Sequence, residues 1–171
     1  MNIQAALTGG NPRTLGNTEQ VVAYVNAHPQ KLGELFKCLK STDEIVRMRT
    51  GDALEKICRE QPEWFGPYID SLLSDVAAID QPSVQWHLAQ MIGELPLNET
   101  QRRRALEVLK RNLETASDWI VLNYSLETFT IFTRKDASLQ KYFIERLKVL
   151  SCDSRKSVAK RASKLLLEFE H

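Results

Sequence analysis

The apolar positions of this chain repeat with a period close to 37 residues. Each repeat begins a stripe of apolar or small residues at offsets of four, seven, eight and eleven, which is the spacing of one helix face. The stripes begin at four valines, at intervals of 38, 37 and 37 residues: Val46, Val84, Val121 and Val158. A repeat of this length predicts an array of stacked helix pairs, which mostly bind other macromolecules along an extended face.

Turn residues divide the chain into a short arm and one helical domain. Residues 1–16 contain turn-forming glycines and an Asn-Pro pair and have no sustained apolar period, so they are expected to form a flexible arm. Residues 17–171 are predicted to form a single domain of one capping helix and four helix pairs. The pairs are expected at about 29–60, 62–95, 98–135 and 137–170. No strand-like alternation is sustained, so the predicted fold class is all-α.

One of the repeats carries a recognisable family pattern. The run Asp43-Glu44-Ile45-Val46-Arg47, followed by Ala53, Leu54 and Ile57, resembles the second helix of a HEAT repeat. The resemblance covers roughly residues 29–170. It implies a right-handed α–α superhelix, an armadillo-like solenoid in which the second helix of each pair lines a concave face.

The later repeats depart from the family pattern at two positions. The arginine position reads Gln85, Leu122 and Ala159, and the aspartate position reads Gln81, Asp118 and Arg155. The ladder of Asp–Arg hydrogen bonds that the resemblance implies is therefore expected to be interrupted. The stacking of the helices should persist on apolar contacts.

Helical geometry assigns a direction to every residue of the second helices. Offsets of two, six and nine from each valine point most nearly away from the apolar stripe, and an offset of three flanks them. Trp86 lies at such a position, where a large aromatic leaves apolar area uncovered unless a ligand covers it. Trp, Tyr and Arg are also enriched among binding hot spots. The candidate partner-binding residues are Arg49, Trp86, His87, Asn123, Tyr124, Lys160 and Arg161.

Two interpretations of the tryptophans stay open at this point. Trp86 either contacts a ligand or packs against a neighbouring helix as ordinary core. Trp64 and Trp119 stand at helix beginnings, where such residues more often join neighbouring helices than bind ligands.

Pro62 suits the first turn of the helix that contains Trp64, which is expected to continue through Val76.

Charge is nearly balanced overall but differs between the two halves. The net charge is +1; residues 1–85 carry 8 basic and 11 acidic residues, whereas residues 86–171 carry 15 and 11. The C-terminal half is therefore the better place to bind an acidic partner. Arg102–Arg104 and the polar side of the last helix form basic clusters, which are either solvated faces or contacts for acidic peptides or phosphates.

Signatures of catalysis are absent from the sequence. The three histidines lack metal-ligand spacing, and there is no phosphate-binding loop or nucleophile elbow. No cofactor or metal is expected. With no secretory signal or membrane-spanning run and three unpaired cysteines, the chain is expected to be intracellular and cytoplasmic, without a membrane partner.

The sequence therefore predicts a non-catalytic scaffold or adaptor that binds a protein or peptide of acidic character on its concave face. The alternative is a nucleic-acid-binding protein. HEAT-like DNA glycosylases for alkylated bases combine concave aromatics with a carboxylate, and Asp52 and Glu127 flank Trp86 on the expected face. A third alternative is self-association through an open end of the solenoid, where Leu167 projects outward.

Overall fold

The computed structural model describes residues 1–11 and 13–170; helices joined by turns and short loops make up these ranges, with no β-strand. The predicted all-α class is confirmed. Three short 3₁₀ turns, at Pro29–Lys31, Cys38–Lys40 and Ala137–Leu139, join or extend α-helices. The α-helices are α1 (Ile3–Leu7), α2 (Thr18–Ala27), α3 (Leu32–Lys37), α4 (Glu44–Glu60), α5 (Ile69–Ser71), α6 (Pro82–Glu94), α7 (Glu99–Thr115), α8 (Trp119–Lys135), α9 (Gln140–Ser151) and α10 (Lys156–Phe169).

The helix expected to run from Pro62 to Val76 is broken into three kinds of helical turn. A 3₁₀ segment (Pro62–Tyr68) leads into α5, and a π turn (Leu72–Val76) follows. Pro67 lies inside the 3₁₀ segment, where its missing N–H and its ring oppose a regular α-helix. The apolar side chains of this segment still reach the core, because Phe65 is fully buried.

Side-chain acceptors fix where several of the long helices begin. The Asp43 carboxylate accepts the Ile45 N–H at 2.8 Å, and the Asp118 carboxylate accepts the Ile120 N–H at 2.8 Å. Helices α4, α6, α8 and α10 begin at intervals of 38, 37 and 37 residues, the same intervals as the four valines. All four valines are buried. The period read from the sequence is thus also the period of the helices.

Five helices form an inner layer, in which α2, α4, α6, α8 and α10 each contact the next. The Thr128 hydroxyl on α8 donates to the Ala89 carbonyl on α6 at 2.7 Å, and the Asn123 amide on α8 donates to the Ser157 hydroxyl on α10 at 3.3 Å. Residue numbers rise together along a pair: Glu19–Lys56 is followed by Asn26–Glu60 between α2 and α4, and Asn123–Ser157 by Arg134–Glu168 between α8 and α10. These neighbouring inner helices therefore run in the same direction.

The remaining elements form an outer layer that covers the apolar side of the inner helices. Arg104 on α7 donates to the Asp70 carboxylate on α5 at 2.8 Å, and Tyr142 on α9 donates to Glu114 on α7 at 2.7 Å. One continuous core lies between the two layers. No helix in the described ranges combines the length and apolar character needed to cross a membrane.

The hydrogen-bond ladder is retained where glutamine replaces aspartate. Arg47 donates from Nε to Gln81 Oε1 at 2.7 Å, and Gln81 Nε2 donates to the Glu44 carbonyl at 2.9 Å. Arg155 occupies the aspartate position of the last repeat and donates instead to the Ser117 carbonyl at 2.5 Å. The connection between α4 and α6 therefore survives in altered form. Gln85 donates to the Ile79 carbonyl and Leu122 has no side-chain donor, so the ladder is interrupted beyond this connection, as expected.

Residues 1–16 require a correction, because much of this segment is packed on the domain. Helix α1 is capped by the Asn2 side chain, and Ile3 and Leu7 are fully buried. The following residues wrap around the side chain of Arg49, which accounts for the ordered path of a segment that has no long apolar stripe. The expected flexible arm is a docked cap across the described part of these residues.

Candidate functional site

An open groove of ≈ 790 Å³ lies between α8 and α10 on the inner layer. Three side-chain contacts connect the two helices along its length: Asn123–Ser157 (3.3 Å), Glu127–Arg161 (3.1 Å) and Arg134–Glu168 (2.8 Å). Each contact joins residues 34 positions apart, so the two helices stay in register from one end of the groove to the other. Thr130, Ile131 and Leu165 also line the groove.

The groove carries more positive than negative charge. Four cationic side chains and two carboxylates line it, and both carboxylates pair with arginines: Arg161 with Glu127 and Arg134 with Glu168. The Arg134 guanidinium lowers the pKa of the Glu168 carboxyl through a hydrogen bond, so this pair stays charged at neutral pH. Lys160 and Lys164 make no ion pair with any described residue. The two lysines therefore supply the excess positive charge.

Trp119 lies at the end of the groove where α8 begins. The residue is 51% exposed, although an indole is among the largest apolar groups that a protein can cover. The interpretation of Trp119 as a residue that joins helices does not describe this exposure. The sequence itself distinguishes Trp119, because the first residues of the other inner helices are Thr18, Glu44, Pro82 and Lys156. Trp119 is the aromatic exception at that position.

Three of the candidate partner-binding residues come together in this groove. Lys160 and Arg161 are exposed on α10, and Asn123 is buried in the wall on α8. Arg161 also donates to the Asn123 carbonyl at 3.3 Å. Asn123 and Arg161 thus connect α8 to α10, whereas Lys160 is exposed and makes no ion pair with a described residue.

Arg49 is not available to a partner, which corrects its assignment as a binding residue. Its side chain is 1% exposed and lies beneath the N-terminal segment. The guanidinium donates to the carbonyls of Leu7 (2.8 Å), Gly9 (2.6 Å), Asn11 (3.2 Å) and Thr14 (3.2 Å). Arg49 organises the cap of the domain from within.

Trp86, His87 and Tyr124 lie outside the groove. Trp86 is partly buried, with its ring 5.6 Å from that of His87, and Tyr124 packs in part against the core. Burial lowers the pKa of His87 to about 4, and the nearby Asp52 carboxylate opposes part of that shift. The imidazole is therefore neutral at pH 7. None of these three side chains lines the groove that contains Lys160 and Arg161.

The Arg102–Arg104 cluster is largely used within the outer layer. Arg102 pairs with Asp136 at 2.6 Å, and Arg104 pairs with Asp70 at 2.8 Å. Both contacts connect α7 to neighbouring outer segments, which favours a structural role over a contact with phosphates.

Comparison with known proteins does not assign this chain to a family. No protein-family model matches it, and no curated protein is significantly similar to it. Function must therefore be argued from the geometry of the groove.

Proposed function

We propose that the chain is a right-handed HEAT-like solenoid of four helix pairs with an N-terminal cap, and that it acts as a non-catalytic scaffold. The equal spacing of α4, α6, α8 and α10 supports the solenoid, as does their parallel order beneath an outer layer. Its ligand would be an acidic segment of a partner protein, bound on the inner helices.

The observation that carries this proposal is that two lysines without an ion-pair partner lie beside the exposed indole of Trp119. Lys160 and Lys164 line the same groove as Trp119, and the groove is open to solvent. A carboxylate placed by a lysine gains a charge-assisted hydrogen bond, and an apolar side chain against the indole removes exposed apolar area from water. Tryptophan is also among the residues that most often dominate binding energies. An acidic segment with an apolar side chain satisfies both features.

The same groove is less suited to a nucleic-acid backbone. Glu127 and Glu168 are 58% and 41% exposed in their side chains, and they stand among the cations. A continuous row of phosphates would meet both carboxylates, whereas a peptide can place neutral residues opposite them. The charge pattern therefore favours separate acidic groups over a polyanion.

A peptide-display selection on the full chain tests the proposal. We expect enrichment of peptides that contain Asp or Glu together with an apolar residue, and loss of their binding to the double variant Lys160→Glu/Lys164→Glu. Trp119→Ala should weaken the same peptides by about tenfold, which corresponds to roughly 1.4 kcal/mol. The helical circular dichroism of each variant should match that of the parent.

A matched control distinguishes an effect of charge within the groove from an effect of the net charge of the protein. Lys37 and Lys141 are exposed and lie outside the groove, so Lys37→Glu/Lys141→Glu makes the same charge change elsewhere. If this control abolishes binding as completely as the groove variant, or if the selected peptides are not acidic, the proposal is wrong. Preferential binding of single- or double-stranded DNA that falls steeply with salt would instead support the nucleic-acid alternative.

A further inference from the structure

The register between α8 and α10 sets distances along the groove. From Trp119 to Arg134 the helix advances roughly 22 Å at 1.5 Å per residue. An extended peptide advances about 3.3 Å per residue, so six or seven residues span the groove. Its far end is closed by the two hydrogen bonds from Arg134 to Glu168, of 2.8 and 3.0 Å.

The side-chain contacts between α8 and α10 also show how far along the groove each lysine lies. Arg161 on α10 lies level with Glu127 on α8, and Lys160 precedes Arg161 by one residue. Lys160 is therefore roughly 10 Å along the groove from Trp119, about the length of three extended residues. Lys164 lies one helical turn farther, or about 6 Å, which corresponds to two extended residues.

We infer that the groove recognises an extended segment in which an apolar residue is followed at the third position by one carboxylate and at the fifth by another. The apolar side chain covers Trp119, and the two carboxylates accept hydrogen bonds from Lys160 and Lys164. This pattern, apolar-x-x-acidic-x-acidic, rests on the proposed function and adds a spacing to it. Because alternate residues of an extended chain face the same side, the two acidic side chains project together towards α10.

Two labelled peptides of the same composition test the spacing. One carries leucine, two serines, glutamate, serine and glutamate in that order between glycines. The other places both glutamates next to the leucine. Fluorescence anisotropy with the full chain at 50 mM salt should give at least about tenfold tighter binding for the spaced peptide. The Lys160→Glu/Lys164→Glu variant should remove that preference.

A charge swap gives an independent check on the pairing. A spaced peptide with lysine in place of both glutamates should bind the Lys160→Glu/Lys164→Glu variant better than it binds the parent chain. Recovery of this kind reports direct coupling between the exchanged groups, because loss of folding would not restore binding.

The outcomes distinguish the spacing from the proposed function. Equal binding of both peptides, lost in the groove variant, would overturn the spacing and leave a groove that binds acidic segments. Binding of neither peptide at millimolar concentration would overturn the spacing, and failure of the display selection would then overturn the proposed function as well. Binding that is unchanged in the Lys160→Glu/Lys164→Glu variant would overturn both the spacing and the proposed function.

Discussion

Acidification should weaken the folded state through the imidazole of His87, most of which is buried. Its Cδ2 packs against α4, where a methyl group added at Gly51 would stand 3.3 Å away. Its Nδ1 is buried without a hydrogen-bond partner among the described residues. Asp52 and Lys56 on α4 and Gln90 on α6 are the charged and polar groups that influence it. Desolvation outweighs the attraction of Asp52, so the folded chain resists protonation of this side chain.

The sign and size of this loss of stability follow from the pKa of His87 in the unfolded and folded states. The unfolded imidazole has a pKa near 6.5, and the folded one has a pKa of about 4. As pH falls from 6.5 towards 4, the unfolded state binds the proton first and folding is disfavoured; below 4 the loss stops growing. Between pH 7 and pH 4.5 the expected decrease in the free energy of unfolding is about 2 kcal/mol. Glutamates also begin to bind protons at the lower end of this window, so the contribution of His87 is the difference in pH dependence between the parent and a His87 variant.

Urea unfolding at several pH values measures this decrease. With a slope of about 2 kcal/mol per molar, the midpoint should fall by about 1 M between pH 7 and pH 4.5. His87→Gln should flatten that dependence even if the variant is less stable at pH 7. His28 is exposed, so His28→Gln is the matched control and should retain the dependence of the parent. Equal pH dependence in the parent and the His87 variant would refute the assignment.

Two further predictions concern the N-terminal cap. Arg49→Ala should lower the free energy of unfolding by at least about 2 kcal/mol and speed proteolysis of residues 8–16, because four carbonyls lose a charged donor; the exposed Arg103→Ala should change stability by less than about 0.5 kcal/mol. Gly16→Ala should cost about 1 kcal/mol or more in urea unfolding, since Gly16 has φ +52° and an added Cβ would stand 2.8 Å from Arg49 Cζ. Gly66→Ala adds a methyl group in open space, and an equal loss there would contradict this explanation.

The helices that could be predicted from the sequence are those whose signals are local. An apolar stripe with a capping side chain before it specifies both the direction and the beginning of a helix, as with Val121 and Asp118. The same reasoning placed Lys160 and Arg161 on an exposed face, because α10 has a narrow apolar side. These features depend on residues within a few positions of one another.

The features that could not be predicted depend on residues far apart in the chain. Arg49 has the local pattern of an exposed residue, and only the docking of a segment about 35 to 42 positions earlier buries it. Trp119 has the local pattern of a helix beginning, and its exposure depends on how far α10 stands from α8. The direction of an inner-helix side chain follows from the period, but its accessibility depends on what packs against it.

The packing of the inner helices differs on the two sides of α8. Nine residues after its valine, α6 carries Gly93, which lets Thr128 of α8 approach closely enough for the 2.7 Å hydrogen bond to Ala89. At the same position α8 carries Thr130, which lines the groove and adds a branched side chain where α6 has none. Helix α10 packs mainly against α9 and reaches α8 through long polar side chains. The groove thus lies where α10 packs less closely on α8 than α8 packs on α6, and the basic side chains of α10 line it.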